Sequence, residues 1–399
     1  MTGLGVGVFI FAILFVIMVH ESGHFLVAKL FGFKATKFFL GFGPTLWSFR
    51  KGETEYGVKA LPLGGFVKII GMSPYEDIPA EDESRSYPNK PRWQRALLLV
   101  AGSATHWVVA FVILAATAMT LGFPTGGATT EINRIEPEVI GVRTAAADAD
   151  FEPGDRIVAV GGRPVEEWGE VVAYIQDHGG ETGTFTVVRG DGRMEIETPL
   201  GLGIFEPVGE FDNLKVAVRP GEELPREPRG DEFAAGFLGV SPAPRYERLG
   251  FFPALADATD KTAELTVMSV RGIGDVFGMV FGGELWDALG AEGERDPEEG
   301  PLGIVGATRI AGESASTGNF IDLIGLVVGF TVFVGLMNLL PLPPLDGGHL
   351  AVLAWEKVTG KPVDVRKLVP IAAAVISFFV ILFMAVLYLD LARPIKVPF

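Results

Sequence analysis

Four long apolar stretches constrain this chain more than any other feature: residues 4–30, 96–123, 321–345 and 368–391. A helix needs roughly 20 apolar residues to cross a hydrocarbon core, and each stretch reaches that length. Inside lipid every backbone N–H and C=O has to be satisfied within the segment, so the stretches read as transmembrane helices. Composition agrees: 48% of the 399 residues are apolar, the mean hydropathy is +0.35, and there are 30 Phe, more than soluble domains usually carry. The first stretch reads as a span rather than a secretory signal, because residues 1–7 hold no basic region and no small-residue cleavage pattern follows. With no cysteine there is no thiol nucleophile, which excludes a cysteine protease, and any metal site must draw on His and carboxylates.

Orientation follows from basic residues, which collect in short cytoplasmic loops. Residues 29–95 hold 11 Lys and Arg against 7 Asp and Glu, whereas residues 123–317 hold 16 against 36, so the net charge of −16 sits in the central region. The first loop therefore reads as cytoplasmic, and the amino terminus and central region as extracytoplasmic. Arg393 and Lys396 then also lie outside, which runs against this arrangement.

The central region begins with alternating, β-branched segments over residues 131–199, punctuated by Gly and Pro turns, and reads as a small β-rich domain. Within it Phe151-Glu152-Pro153-Gly154-Asp155-Arg156-Ile157-Val158-Ala159-Val160-Gly161-Gly162 resembles the strand-turn signature of a circularly permuted bacterial PDZ domain. PDZ domains take an extended peptide as an added strand, so the resemblance implies a filter acting on exposed substrate ends. Residues 200–250, rich in Pro, Glu and Gly, read as an irregular linker. Residues 252–289 show helical apolar spacing with scattered charges, as in an amphipathic helix on the protein or membrane surface. An acidic loop at 291–299 and a short apolar segment from 301 lead to the third span, and no internal repeat is evident.

Chemistry concentrates at the end of the first span, where His20-Glu21-Ser22-Gly23-His24 gives His-Glu-x-x-His. Residues four apart share a helix face, so both imidazoles can reach one ion while Glu21 addresses a water held there. Ionisable groups at mid-span cost roughly 2.5 to 3.5 kcal/mol each on insertion scales, so three of them oppose insertion unless a metal compensates. Catalytic zinc usually takes three protein ligands and leaves a position for water. Of five histidines, His178 falls in the β-rich region, leaving His106 and His349, and the carboxylate best placed at a span end is Asp346. The first and third spans run in the same direction, so His24 and Asp346 share a membrane face.

His20-Glu21-x-x-His24 together with Asn338-Leu339-Leu340-Pro341-Leu342-Pro343-Pro344-Leu345-Asp346-Gly347-Gly348 resembles the site-2 protease family of intramembrane zinc metalloproteases. The similarity extends through Gly41-Phe42-Gly43-Pro44, residues 54–69 with Pro62-Leu63-Gly64-Gly65, the inserted β-rich domain and the four-span arrangement, and is nearest to the bacterial branch that cleaves anti-sigma factors. The resemblance implies Zn2+ as cofactor, His20, His24 and Asp346 as its ligands, Glu21 as general base, and Asn338, Gly64 and Gly65 near the substrate. It implies a multi-pass α-helical membrane protein with four transmembrane helices, an inserted extracytoplasmic PDZ-like domain at 124–200 and a membrane-associated β hairpin within the cytoplasmic-side loop at 32–95. The expected boundaries are spans at 1–31, 96–123, 319–348 and 368–392, a linker with amphipathic helix at 201–318 and a cytoplasmic loop at 349–367. The expected role is the second cut of regulated intramembrane proteolysis in the bacterial plasma membrane, with the site toward the cytoplasm. The partners would be the lipid bilayer and a transmembrane substrate, such as an anti-sigma factor already cut outside; no nucleic-acid partner is expected.

The second span departs from that pattern: it reads Ala101-Gly102-Ser103-Ala104-Thr105-His106, where many relatives have Gly-Pro and an Asn. Ser103 and His106 stand three apart, but no nucleophile motif or oxyanion arrangement accompanies them, which disfavours a Ser-His protease. Aspartyl chemistry would need two facing aspartates, whereas Asp322, Asp346 and Asp390 sit near span ends. The remaining alternatives are a metal-binding transporter, which should show repeated halves, and an inactive PDZ-bearing scaffold, which would not need Glu21.

Overall fold

A computed structural model describes residues 2–73, 76–208, 211–291, 301–316, 320–361 and 363–394. Apart from Ala291, the expected acidic loop at 291–299 lies outside the described residues, as does Lys396. The chain forms two compact units, residues 1–121 with 248–399 and residues 122–247.

The first unit opens with α1 (Thr2–Leu30), an apolar run without proline. It ends because Gly32 adopts φ +68°, a conformation that suits glycine. This lets Gly32 N–H reach Lys29 O at 3.2 Å and Phe33 N–H reach Ala28 O at 2.8 Å, a Schellman termination. Strands β1 (Ala35–Lys51) and β2 (Thr54–Ile69) then form a long antiparallel hairpin, turned at Gly52 with φ +63°. Glu53 in that turn accepts from Lys29 at 2.7 Å and from both Arg85 terminal nitrogens at 2.7 and 2.8 Å. The Arg85 guanidinium, with Lys29, holds the Glu53 carboxyl down to about 2. The hairpin tip is thereby tied to the end of α1. Helix α2 (Arg92–Thr120) begins after Pro91 and runs back along α1. Gly23 permits the close approach, since any Cβ there would strike the Ala101 carbonyl.

The second unit holds β3 (Phe123–Ile135), β4 (Glu138–Val139), β5 (Val142–Arg143), α3 (Ala145–Asp148), β6 (Arg156–Val160), β7 (Arg163–Pro164) and α4 (Trp168–Asp177). It continues through β8 (Thr182–Arg189), β9 (Gly192–Pro199), β10 (Gly201–Val208), β11 (Phe211–Val218), β12 (Phe233–Phe237) and β13 (Val240–Glu247). The main sheet has the order β13-β3-β6-β8-β9 with β7 beside β6, and a second sheet has the order β11-β10-β12. Phe151, Ile157, Val160, Val171, Phe185 and Val187 build its core. The segment Phe151–Gly162 forms a turn that leads into β6. Gly154 turns at φ +94°, and Asp155, fully buried, accepts from Arg189 Nε at 2.8 Å and from Glu152 N–H at 2.9 Å. Burial opposes the Asp155 charge, yet Arg189 and the Glu152 N–H hold its carboxyl below the usual range.

Residues 200–250, expected as an irregular linker, instead carry strands β10 to β13. Their prolines are compatible with strands by position: Pro242 and Pro244 lie on β13, an edge strand, and Pro207 pairs with β11 beyond the stretch of β10 that pairs with β12. Edges are where a residue without an N–H is tolerated.

The first unit resumes with α5 (Phe251–Gly282), α6 (Glu284–Gly290), α7 (Ile304–Ser316), α8 (Phe320–Asn338), α9 (Asp346–Thr359) and α10 (Val369–Ala392). Leu249 N–H bonds to Ala118 O at 2.9 Å and Trp107 Nε1 to Thr266 Oγ1 at 2.9 Å, so α5 runs antiparallel to α2. Among the described residues five helical stretches are long and apolar enough to cross a membrane, one more than expected. The addition is α5; its early charges Asp257, Asp260, Lys261 and Glu264 give the amphipathic appearance, but its later turns are mostly apolar. The third expected span also differs. Its helix stops at Asn338, Leu339–Leu345 forms turns with a cis Pro343–Pro344 bond, and Asp346 starts a new helix where a loop at 349–367 was expected.

Candidate active site

The site is built where α1, α2 and the turn after α8 meet. On α1, His20 and His24 project from one face, their Nε2 atoms 3.0 Å apart. The break after Asn338 brings Asp346 to the same point, with Oδ2 3.1 Å from each of those nitrogens. That break depends on Gly347 and Gly348, because a Cβ on Gly347 would collide with the Leu339 carbonyl and one on Gly348 would lie 2.5 Å from Pro343 N. The direction of α8 is fixed by neighbours. Leu323 packs near Ile13 at one end, and Gly335 faces His106, the partner of His20, toward the other. Helices α1 and α8 therefore run the same way, as the shared face of His24 and Asp346 requires.

Three ligand-type atoms spaced 3.0–3.1 Å apart are close enough together to be shared by one ion at zinc distances of about 2.0–2.2 Å. The group fits zinc in composition too, two imidazoles and one carboxylate. Asp346 Oδ2 is buried and, among the described residues, makes no hydrogen bond of acceptable geometry despite the short distances to both nitrogens. A buried carboxylate oxygen without a hydrogen bond is costly, and a cation shared with the two imidazoles would satisfy it.

The outer contacts orient the set. His24 Nδ1 lies 2.7 Å from Leu98 O; a carbonyl only accepts, so Nδ1 carries the proton and Nε2 presents its lone pair. His20 Nδ1 lies 3.1 Å from His106 Nε2 on α2. Gly102, between Leu98 and His106 on the same face, leaves room for both imidazoles, since a Cβ there would overlap the His24 ring. Glu21 Oε2 accepts from the Val67 N–H of β2 at 2.9 Å. Gly65 makes this approach possible: a Cβ on it would come within 3.2 Å of Glu21 Cγ and Ile17 Cγ2. The hairpin strand is thus fastened against the glutamate.

Not every expected residue converges. Asn338 donates from Nδ2 to Val334 O of its own helix at 3.1 Å, and Gly64, at φ +151°, faces Phe42. His349 lines a separate cavity with Arg92, Arg95 and Glu356. His178 bonds to Tyr174 O in the second unit. The Leu98 carbonyl, the Val67 N–H and the partnership of His106 with His20 were not read from the sequence. The four-residue spacing of Leu98, Gly102 and His106 on one helix face is the signal that marks them.

Comparison with known proteins matches residues 8–384 to the model of peptidase family M50. The zinc metalloprotease Rip1 of Mycobacterium tuberculosis is 32% identical over 425 residues, covering 98% of each chain. Rip1 of Mycolicibacterium smegmatis is 31% identical, covering 100% of this chain and 99% of that one. A putative zinc metalloprotease of Brucella suis is 31% identical over 370 residues, covering 89% of this chain and 86% of that one.

Proposed function

Because the chain belongs to peptidase family M50, the site-2 proteases, and is a zinc metalloprotease of a membrane, we propose that it cleaves transmembrane segments of other proteins. In this reading His20, His24 and Asp346 hold the zinc and Glu21 is the general base. The observation that carries it is the convergence of three ligand-type atoms within 3.1 Å of one another, next to a glutamate held by a strand. Zinc bound there would polarise a peptide carbonyl and bring the pKa of a coordinated water to about 7. Glu21 takes the proton of the attacking water and returns it to the departing amide nitrogen. Val67 N–H holds Oε2, which leaves Oε1 as the oxygen that carries the proton.

A folded transmembrane helix hides its scissile bonds, so substrate must unwind. The long hairpin of β1 and β2 offers strand edges beside Glu21, on which an extended segment can be held by added-strand pairing. Gly65 lets the hairpin strand lie close to Glu21, and Gly64 and Asn338 are assigned to the substrate path. Residues 124–200, within the unit of residues 122–247, are read as a PDZ-like domain, supported by the Phe151–Gly162 turn and the β-rich sheet; it would filter substrates by their exposed ends. The location is read as a bacterial plasma membrane, and the charge asymmetry supports an orientation with the site toward the cytoplasm and the second unit outside. The substrate class would be single-span proteins such as anti-sigma factors after a first external cut.

The test is cleavage of a purified single-span substrate in detergent, with the cut bond mapped by mass spectrometry. A cut within the apolar segment that disappears in Glu21→Gln supports the reading; a cut in a soluble loop, or one that survives Glu21→Gln, sinks it.

A further inference from the structure

We propose that His106 is a positioning residue for His20: its Nε2 accepts the Nδ1–H of His20 and so fixes the tautomer and plane of that imidazole. The inference rests on the reading of His20, His24 and Asp346 as zinc ligands. His20 Nε2 faces His24 Nε2 at 3.0 Å and Asp346 Oδ2 at 3.1 Å, a setting that calls for a lone pair toward a shared cation. A neutral imidazole with its lone pair on Nε2 has its proton on Nδ1. The atom opposite Nδ1, at 3.1 Å, is His106 Nε2, which must then be an acceptor, so His106 keeps its own proton on Nδ1.

Two further observations set this contact apart from ordinary packing. His106 is fully buried, and its Nδ1 finds no hydrogen-bond partner among the described residues, so only its Nε2 does polar work. The opposite helix also makes room for the ring: a Cβ on Gly335 of α8 would lie 2.9 Å from His106 Cβ and 3.1 Å from its ring carbons. Helix α8, which ends just before Asp346, thus gives up a side chain where the ring stands. In zinc sites the outer nitrogen of a ligating histidine usually donates to a carboxylate, a carbonyl or water. Here His24 uses the Leu98 carbonyl, and His20 uses a neutral imidazole instead.

The experiment titrates zinc into metal-free full-length protein in detergent, in competition with a chromogenic chelator, for the intact chain, His106→Leu and His106→Gln. Glutamine places an amide oxygen near the position of Nε2, whereas leucine fills the space without an acceptor. His106→Leu is expected to weaken zinc binding 10- to 100-fold, the usual loss on removing an outer partner, and His106→Gln to stay within about threefold. Thermal unfolding of the metal-free forms separates this from folding, and the Leu variant should unfold no earlier than the intact chain. The absorption bands of cobalt-loaded protein should shift in the Leu variant and return toward the intact spectrum in the Gln variant. Equal zinc affinity in the Leu and intact proteins, or equal losses in Leu and Gln, would overturn the assignment. Failure of the intact chain itself to bind zinc would remove the ligand reading beneath it.

Discussion

Two carboxylates, one in each unit, are treated in opposite ways: Asp155 is fully buried and Asp346 is 16% exposed. Asp155 in the β-rich unit is enclosed by the Arg189 guanidinium and the Glu152 N–H, with its hydrogen bonds made. In the helical unit the Asp346 Oδ2 atom is buried, yet among the described residues it makes no hydrogen bond of acceptable geometry and stands 3.1 Å from two imidazole nitrogens. A carboxylate with its partners in place stabilises the fold around it. One whose oxygen converges on two imidazole nitrogens without a hydrogen bond of acceptable geometry is arranged for something the polypeptide does not supply. The contrast separates a residue whose partners all lie within the chain from one that converges with two imidazoles on a single point.

Substitutions should therefore affect the two regions differently. The largest effect is expected from Glu21→Gln, which should lower the cleavage rate at least 10²- to 10⁴-fold, the span usual for a general base, with unchanged thermal unfolding; substrate turnover followed on gels measures it. Asp155→Ala leaves Arg189 without its buried partner and should destabilise the β-rich unit by about 3 kcal/mol, read as faster hydrogen exchange in β6 and β8 of the full-length protein. Zinc content in that variant should not change, and a fall in it would break the contrast. Gly65→Ala should slow cleavage by roughly tenfold, because Glu21 must move a few tenths of an ångström to accommodate the new methyl group and misplaced catalytic groups are costly; zinc binding should persist.

The smallest effect is expected at the hairpin tip. Glu53→Gln should cost about 1 kcal/mol, since the cluster is partly exposed, as measured by proteolysis of the β1–β2 turn. Glu53 is depressed from an ordinary 4.5 to about 2, so its contribution is complete above about pH 4.5. It fades as pH falls toward 2, because the unfolded chain binds the proton first. Protease resistance of the turn should follow that window in the intact chain and be flat across it in Glu53→Gln.

The sequence made the site more legible than the fold around it. His20, Glu21 and His24 are local on one helix, so four-residue spacing alone predicts their grouping. Asp346 needed a second inference, that the first and third spans run parallel, and α1 and α8 do. Yet α5, which also runs antiparallel to α2, shows that counting spans was not a secure route to it; packing around Gly335 and Gly347 is what brings the groups together. The strands at 201–247 were hidden because proline and glycine are turn signals in any single sequence, and only the pairing partners reveal that Pro242 and Pro244 lie on an edge. His106 was visible as a departure in the second span, but its partner is 86 residues away, beyond any local pattern.

The most direct measurement of the central claim is zinc content by plasma mass spectrometry of the purified full-length protein and its Asp346→Ala variant, each after dialysis against a weak chelator. Close to one zinc per chain is expected in the intact protein and in Glu21→Gln, and loss of that zinc in Asp346→Ala and His20→Ala while both still fold. Retention of a full complement in Asp346→Ala would contradict it and place the third ligand elsewhere in the chain.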